Sequence, residues 1–208
     1  MLDNRALSIV LLIAVVGDFA AAYGLAPFYR GYSHRKSVMS VLGSPASPVR
    51  RVYNAWLVLL GVLLLVSCRL IYLKFLPVSK SLSAVAVILT AAFAIGACIV
   101  AGLFSVNERK EVVTTASKIH GAGAAVGFML LLFAPLLLVI LFFKGGDASG
   151  GIFSLVCFAA AFIFFALFVM ADKKEFQSTI VAQEGLWQRL TLLMMYIPFA
   201  KIALSELI

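Results

Sequence analysis

The sequence predicts an all-α integral membrane protein, a single polytopic domain folded as a bundle of six transmembrane helices. Three observations carry this reading. The 208 residues are 63% hydrophobic and only 12% charged, against roughly 45–50% apolar and about 25% charged in soluble domains. Mean hydropathy is +1.10. The apolar residues also gather into runs of about 20, the length that a helix rising about 1.5 Å per residue needs to cross a hydrocarbon core of about 30 Å. Helices satisfy their own backbone groups and can therefore cross.

Span one is predicted at 6–23, with Asp18 as its only charge. It reads as a retained span rather than a signal peptide, because apolar character continues through Leu25 to Phe28 and Asp18 interrupts the hydrophobic region. The longest connection follows, from Pro27 to Tyr53, rich in Ser, Gly and Pro and basic at Arg30, Arg35, Lys36, Arg50 and Arg51; this composition marks a loop. Span two, 54–73, is framed by Tyr53 and Trp56 at one end and by Arg69, Tyr72 and Lys74 at the other, as interfacial anchors are. Span three, 82–106, is uncharged and carries Ala92 with Gly96, and Ala97 with Ala101, each pair on one helical face. Span four, 119–143, opens with Gly123 and Gly127 in a GxxxG spacing that lets another helix approach closely. Span five, 151–171, is dense in Phe. Span six, 185–207, is interrupted by Arg189 and Lys201, each expected to snorkel towards a different surface. Pro135 and Pro198 are positioned to kink spans four and six. Short connections favour antiparallel neighbours.

A net charge of +8 fits an anionic membrane surface better than nucleic acid, since the Lys and Arg residues flank apolar ends and no loop can house a recognition module. Loops one, three and five hold eleven Lys and Arg, whereas the termini and the even loops hold six. Positive-inside bias then puts the odd loops in the cytoplasm and both termini outside. Cys68, Cys98 and Cys157 lie inside apolar runs and read as buried free thiols. No metal-ligand cluster and no cofactor motif occurs, so neither a metal nor a cofactor is implied.

Ionisable groups in membrane spans are functional candidates by default. Asp18, Asn54, His120, Glu184, Trp187 and Arg189 all fall towards the odd-loop end of an up-and-down bundle. Asp18 is the strongest, because neither a helix dipole nor snorkelling excuses a short acid at that depth. It is expected to pair with Arg189 or to line a common cavity with His120, Glu184 and Arg189. His120 can donate, accept or shuttle a proton. Glu184 favours the positive end of a helix dipole, and Trp187 reads as an interface anchor.

Four segments, SVLGSPASP, YNAWLVLLGVLL, IHGAGAAVGFMLLL and EGLWQRLTLLMMY, resemble the bacterial six-span family catalogued as domain of unknown function 998, along most of the chain. The resemblance implies six helices and a bacterial cytoplasmic membrane, marks Asn54, His120, Glu184, Trp187 and Arg189 as matching positions, and supplies no activity. That family is in turn similar to the damage-regulated autophagy modulator group, some of whose relatives are tied to lipid handling, although Arg50–Arg51 departs from their acidic, proline-rich loop. The expected function is binding or sensing of a lipid or small amphiphile in a polar cavity at one membrane face, with membrane lipids as partners. The alternatives are a lipid-modifying enzyme using His120 with Asp18 or Glu184, and a small-solute transporter. Oligomeric state is not legible.

Overall fold

The computed structural model describes residues 2–108 and 111–208, and among these every regular element is helical. Helix α1 (Asn4–Leu25) starts where the Asp3 carboxylate accepts the Ala6 N–H at 2.7 Å, satisfying one of the orphan donors of a first turn. Helix α2 covers Arg50–Phe75, beginning about one turn before the predicted span. Helix α3, Lys80–Leu103, is capped by Ser79 and winds as a π-helix over Ala94–Val100. It stops short of the predicted 106. Helix α4, Thr115–Lys144, opens with a Thr114–Ser117 capping box and is interrupted at Phe133, directly before Ala134 and Pro135, because the Pro ring displaces the carbonyl four residues back. Helix α5 (Ala148–Met170) is capped by Asp147. Helix α6 is Glu184–Ser205 and carries Pro198 within it.

Helices α1 to α5 are each long and apolar enough to cross a membrane. Gln188, Arg189 and Lys201 keep α6 below that apolarity. It nevertheless runs the depth of the bundle: its first turn is bonded to the loop after α1 through the Leu186 N–H on the Arg35 carbonyl at 3.0 Å. Just past its last turn, Glu206 accepts from Lys74 at 2.6 Å and Asn4 at 3.3 Å, at the opposite end. Consecutive helices pack side by side, and α6 closes the ring against α1. The odd connections therefore share one end and the even ones the other.

Small residues set the distance between helices. A Cβ at Gly96 of α3 would stand 2.5 Å from the carbonyl oxygen of Gly123 on α4, one at Gly123 would stand 2.7 Å from that of Gly96, and one at Gly127 would meet Ala97 at 2.9 Å. The GxxxG of α4 and the small-residue face of α3 thus meet as the spacing predicted. On its other side α3 lies equally close to α2, where a Cβ at Gly61 would meet the Ala94 carbonyl at 2.5 Å and one at Gly102 the Asn54 carbonyl at 2.7 Å. The π turns lie where α3 is squeezed between α2 and α4, a location in keeping with the usual placement of such bulges at functional or tightly constrained sites.

Because the obstruction at Gly96 and Gly123 is backbone, it cannot yield by a rotamer change. Gly96→Ala and Gly123→Ala are each expected to cost about 1–3 kcal/mol. Gly24→Ala, where a Cβ meets nothing within 4 Å, should be neutral or slightly stabilising. Thermal midpoints of the three purified variants in one detergent check this, and equal midpoints would contradict the close approach.

Candidate functional site

The connection 26–49 folds back into the open end of the ring, with Met39, Leu42, Ser44 and Ser47 buried. What draws it there is the start of α6. Gly185 has no Cβ, and one would lie 2.2 Å from the Ser37 carbonyl and 2.7 Å from that of His34, so only glycine admits the loop at this distance. Gln188 accepts the Met39 N–H at 2.7 Å. Arg189, only 4% exposed, donates through Nη1 to the carbonyls of His34 (2.8 Å), Ser37 (3.0 Å) and Gly185 (2.7 Å), and through Nη2 to the Tyr32 hydroxyl at 2.5 Å. Its guanidinium also sits 5.9 Å from the ring centres of Tyr23 and Tyr32, within cation–π reach. Instead of snorkelling to water, this arginine fastens a loop. Asn54 adds a second fastening, donating to the Gly43 carbonyl at 3.3 Å and to Ser105 Oγ at 3.1 Å.

Asp18 and Arg189 do not form the expected contact pair. Among the described residues neither has an opposite charge within 4 Å, although the arginine's field reaches the carboxylate. Asp18 instead accepts from the Tyr196 hydroxyl at 3.0 Å, seven residues along α6 from Arg189 and so on the same face. The Trp56 indole N–H approaches the carboxylate without attaining hydrogen-bonding geometry.

Asp18 and His120 do line one cavity, of about 50 Å³, with Tyr53, Gln188 and Cys98 as further polar or polarisable walls and Met39 and Ser40 as its roof. His120 Nδ1 faces the carbonyls of Phe104 at 2.8 Å and Ala101 at 3.2 Å. A carbonyl only accepts, so Nδ1 carries the proton and Nε2 of the neutral ring keeps its lone pair. Glu184 borders a different space, a surface basin of about 360 Å³ lined by Tyr29, Arg30, Tyr32, Lys36, Ser37, Val38, Val41 and Asn107. Arg189 lines neither. The segment Ser37–Val41 is the partition, with Ser37, Val38 and Val41 on the basin and Met39 and Ser40 on the inner cavity. Trp187 is half-buried, donates to the Val181 carbonyl at 3.0 Å and lies parallel to Phe164, anchoring the connection before α6 to α5. The thiols of Cys68, Cys98 and Cys157 are free and buried.

Sequence reasoning singled out the Gly185 to Arg189 motif without its purpose, and did not select Gln188, Tyr53 or Tyr196. The periodicity of α6 offered a signal for two of them, since Gln188 and Tyr196 share the inward face with Arg189.

The chain belongs to the family described as protein of unknown function (DUF998), whose model matches residues 9–205. No curated protein and no solved structure matches it significantly.

The clamp should respond to pH through His34, which lies outside the spans. Burial, and then the nearby Arg189 charge, hold its imidazole below the ordinary value of 6.5. Its Nδ1 is buried without a partner, and its ring stacks on Tyr23 and meets Tyr32 edge-on. A depressed histidine stabilises the folded arrangement above its unfolded pKa and loses that stabilisation as pH falls through the folded one. Protection of the amides in 33–43, taken relative to their intrinsic exchange rate at each pH, should therefore fall as pH drops below about 6.5, and His34→Gln should flatten the dependence. Arg189→Gln should expose the same segment at all pH, seen as faster tryptic cleavage after Arg35 and Lys36, because each hydrogen bond from a charged donor is worth about 1.5–3 kcal/mol. Unchanged cleavage would remove the clamp role.

Proposed function

We propose that the chain is a binding or sensing bundle that crosses the membrane six times and holds the headgroup of a lipid or small amphiphile in the basin of its odd-loop end. The observation that supports this most is the basin itself. At about 360 Å³ it falls in the roughly 300–1,000 Å³ range of small-molecule sites. It brings Arg30 and Lys36, suited to a phosphate or carboxylate, together with the carboxylates of Glu108 and Glu184, suited to an amine, at the level where helices end. In this reading the anion contacts fall to Arg30 and Lys36 rather than to His120 and Arg189, which are turned to backbone carbonyls. The lipid-modifying alternative would need an ester beside His120 and Asp18, and a cavity of about 50 Å³ does not admit one.

The sixth crossing is supported by α6 having 22 residues, about 33 Å at 1.5 Å per residue, with its two ends bonded at opposite ends of the bundle. Its charges are accommodated without facing lipid at mid-depth: Arg189 is buried near the loop end, and Lys201 reaches Asp147 at 3.5 Å near the other. The eleven-to-six distribution of Lys and Arg supports odd loops in the cytoplasm.

Native mass spectrometry of the full chain released from bilayer nanodiscs should show a retained anionic phospholipid. Arg30→Gln with Lys36→Gln should reduce the bound fraction about tenfold or more, at about 1 kcal/mol per cation. A chain that emerges free of lipid from every nanodisc composition would remove this function. For orientation, Ala46→Cys, at an exposed position of the first loop, should resist an impermeant thiol reagent added outside intact cells, and labelling there would reverse the assignment.

A further inference from the structure

The inner cavity holds groups that the basin does not use, and the one charged group among them is a carboxylate. The Asp18 carboxylate accepts. Gln188 Oε1 accepts the Met39 N–H, and its Nε2 keeps two N–H donors. His120 Nε2 accepts, because Nδ1 is committed to the Phe104 carbonyl. The Tyr53 hydroxyl has lone pairs to offer, and neither it nor His120 Nε2 has a hydrogen-bond partner among the described residues, although the two side chains are only 1% and 5% exposed. The remaining walls include Phe93 and Phe128, which meet edge to face and whose ring faces attract cations. A carboxylate with no cation in contact is costly at this depth, and among the described residues no lysine or arginine lines the cavity.

We infer that this cavity is a binding site for a compact ammonium group, either free ammonium or the terminal –NH₃⁺ of a small primary amine. The inference goes beyond the lipid basin and does not need it, since the two spaces are separated by Ser37–Val41. Three arguments select this class. Three separate acceptors, the Asp18 carboxylate, His120 Nε2 and the Tyr53 hydroxyl, call for a ligand that brings several N–H donors. A carboxylate with no basic side chain beside it among the described residues calls for positive charge. A volume of about 50 Å³ exceeds the roughly 10–15 Å³ that one water needs but excludes a quaternary or phosphate-bearing head. Metal coordination is a poorer match, because no group of three His, Cys, Asp or Glu side chains able to hold a metal occurs among the described residues. The partition covers the loop side of the cavity through Met39 and Ser40, and Gln188 and Arg189 hold it in place.

The test is a thermal-shift series on the full chain in detergent, with methylammonium, sodium or tetramethylammonium chloride at about 100 mM, a concentration suited to a ligand of so few atoms. Methylammonium should raise the midpoint by about 3 °C over sodium, tetramethylammonium should not, and Asp18→Asn should abolish the difference. A shift that sodium or tetramethylammonium reproduces, or that persists in Asp18→Asn, overturns the assignment, as does no shift. Should Asp18→Asn fail to fold, the infrared difference spectrum of the wild-type chain on adding methylammonium serves instead. A buried carboxyl band must respond to methylammonium and not to tetramethylammonium, and a silent band overturns the site. Arg30→Gln with Lys36→Gln should keep the methylammonium shift while losing lipid, so failure of the lipid basin and failure of the ammonium site are separately visible.

Discussion

Arg189 is a full positive charge buried at the mouth of a helical ring with no carboxylate in contact among the described residues, and the arrangement of the loop end follows from how that charge is solvated. A guanidinium removed from water must replace its hydration shell, and here backbone carbonyls do so. Those of His34 and Ser37 can reach it only if the first loop folds inward, and the absence of a Cβ at Gly185 is what leaves room for them. The loop, once inside, becomes the wall between a headgroup-sized basin and a smaller inner cavity. A charge that looked like an interruption of the last helix is thus what holds the first loop over the bundle interior.

A second constraint acts at the centre of the ring. Helix α3 is held so close to both neighbours that carbonyl oxygens occupy the space where Cβ atoms of Gly61, Gly96, Gly102 and Gly123 would be. Lipid offers little drive for helices to associate, so such packing must supply it. The same segment ends beside His120, and its carbonyls at Ala101 and Phe104 orient the imidazole. Packing and site are therefore coupled: the helix that spaces the bundle also fixes which nitrogen of His120 faces the cavity.

The candidate residues divide into two kinds. Asn54, Trp187 and Arg189 tie loops to helices, which suits the short polar segments in which they occur. Asp18 and His120 face a cavity and have chemistry left over. Tyr53, Tyr196 and Gln188 belong with this second group. The family as a whole carries no assigned activity, so the separation of fasteners from cavity groups is the distinction that functional work on the chain can use first.

How much of this was legible beforehand depends on the range over which each feature is determined. The sequence by itself determined the helical class, the position of each apolar run to within a few residues, the GxxxG contact and the burial of the three thiols, because hydrophobicity, periodicity and residue size are local properties and a bilayer leaves the backbone few alternatives. It also marked Asp18, His120 and Arg189 as out of place in hydrocarbon. Only the tertiary structure decided their partners. Whether Arg189 meets Asp18 or the carbonyls of residues some 150 positions earlier is a matter of a few ångströms, settled by the helix ring and by the missing side chain at Gly185. The partition at Ser37–Val41 is likewise invisible in composition, since a Ser- and Pro-rich loop reads as solvent-exposed until a buried cation elsewhere in the chain gives its backbone a reason to go inside.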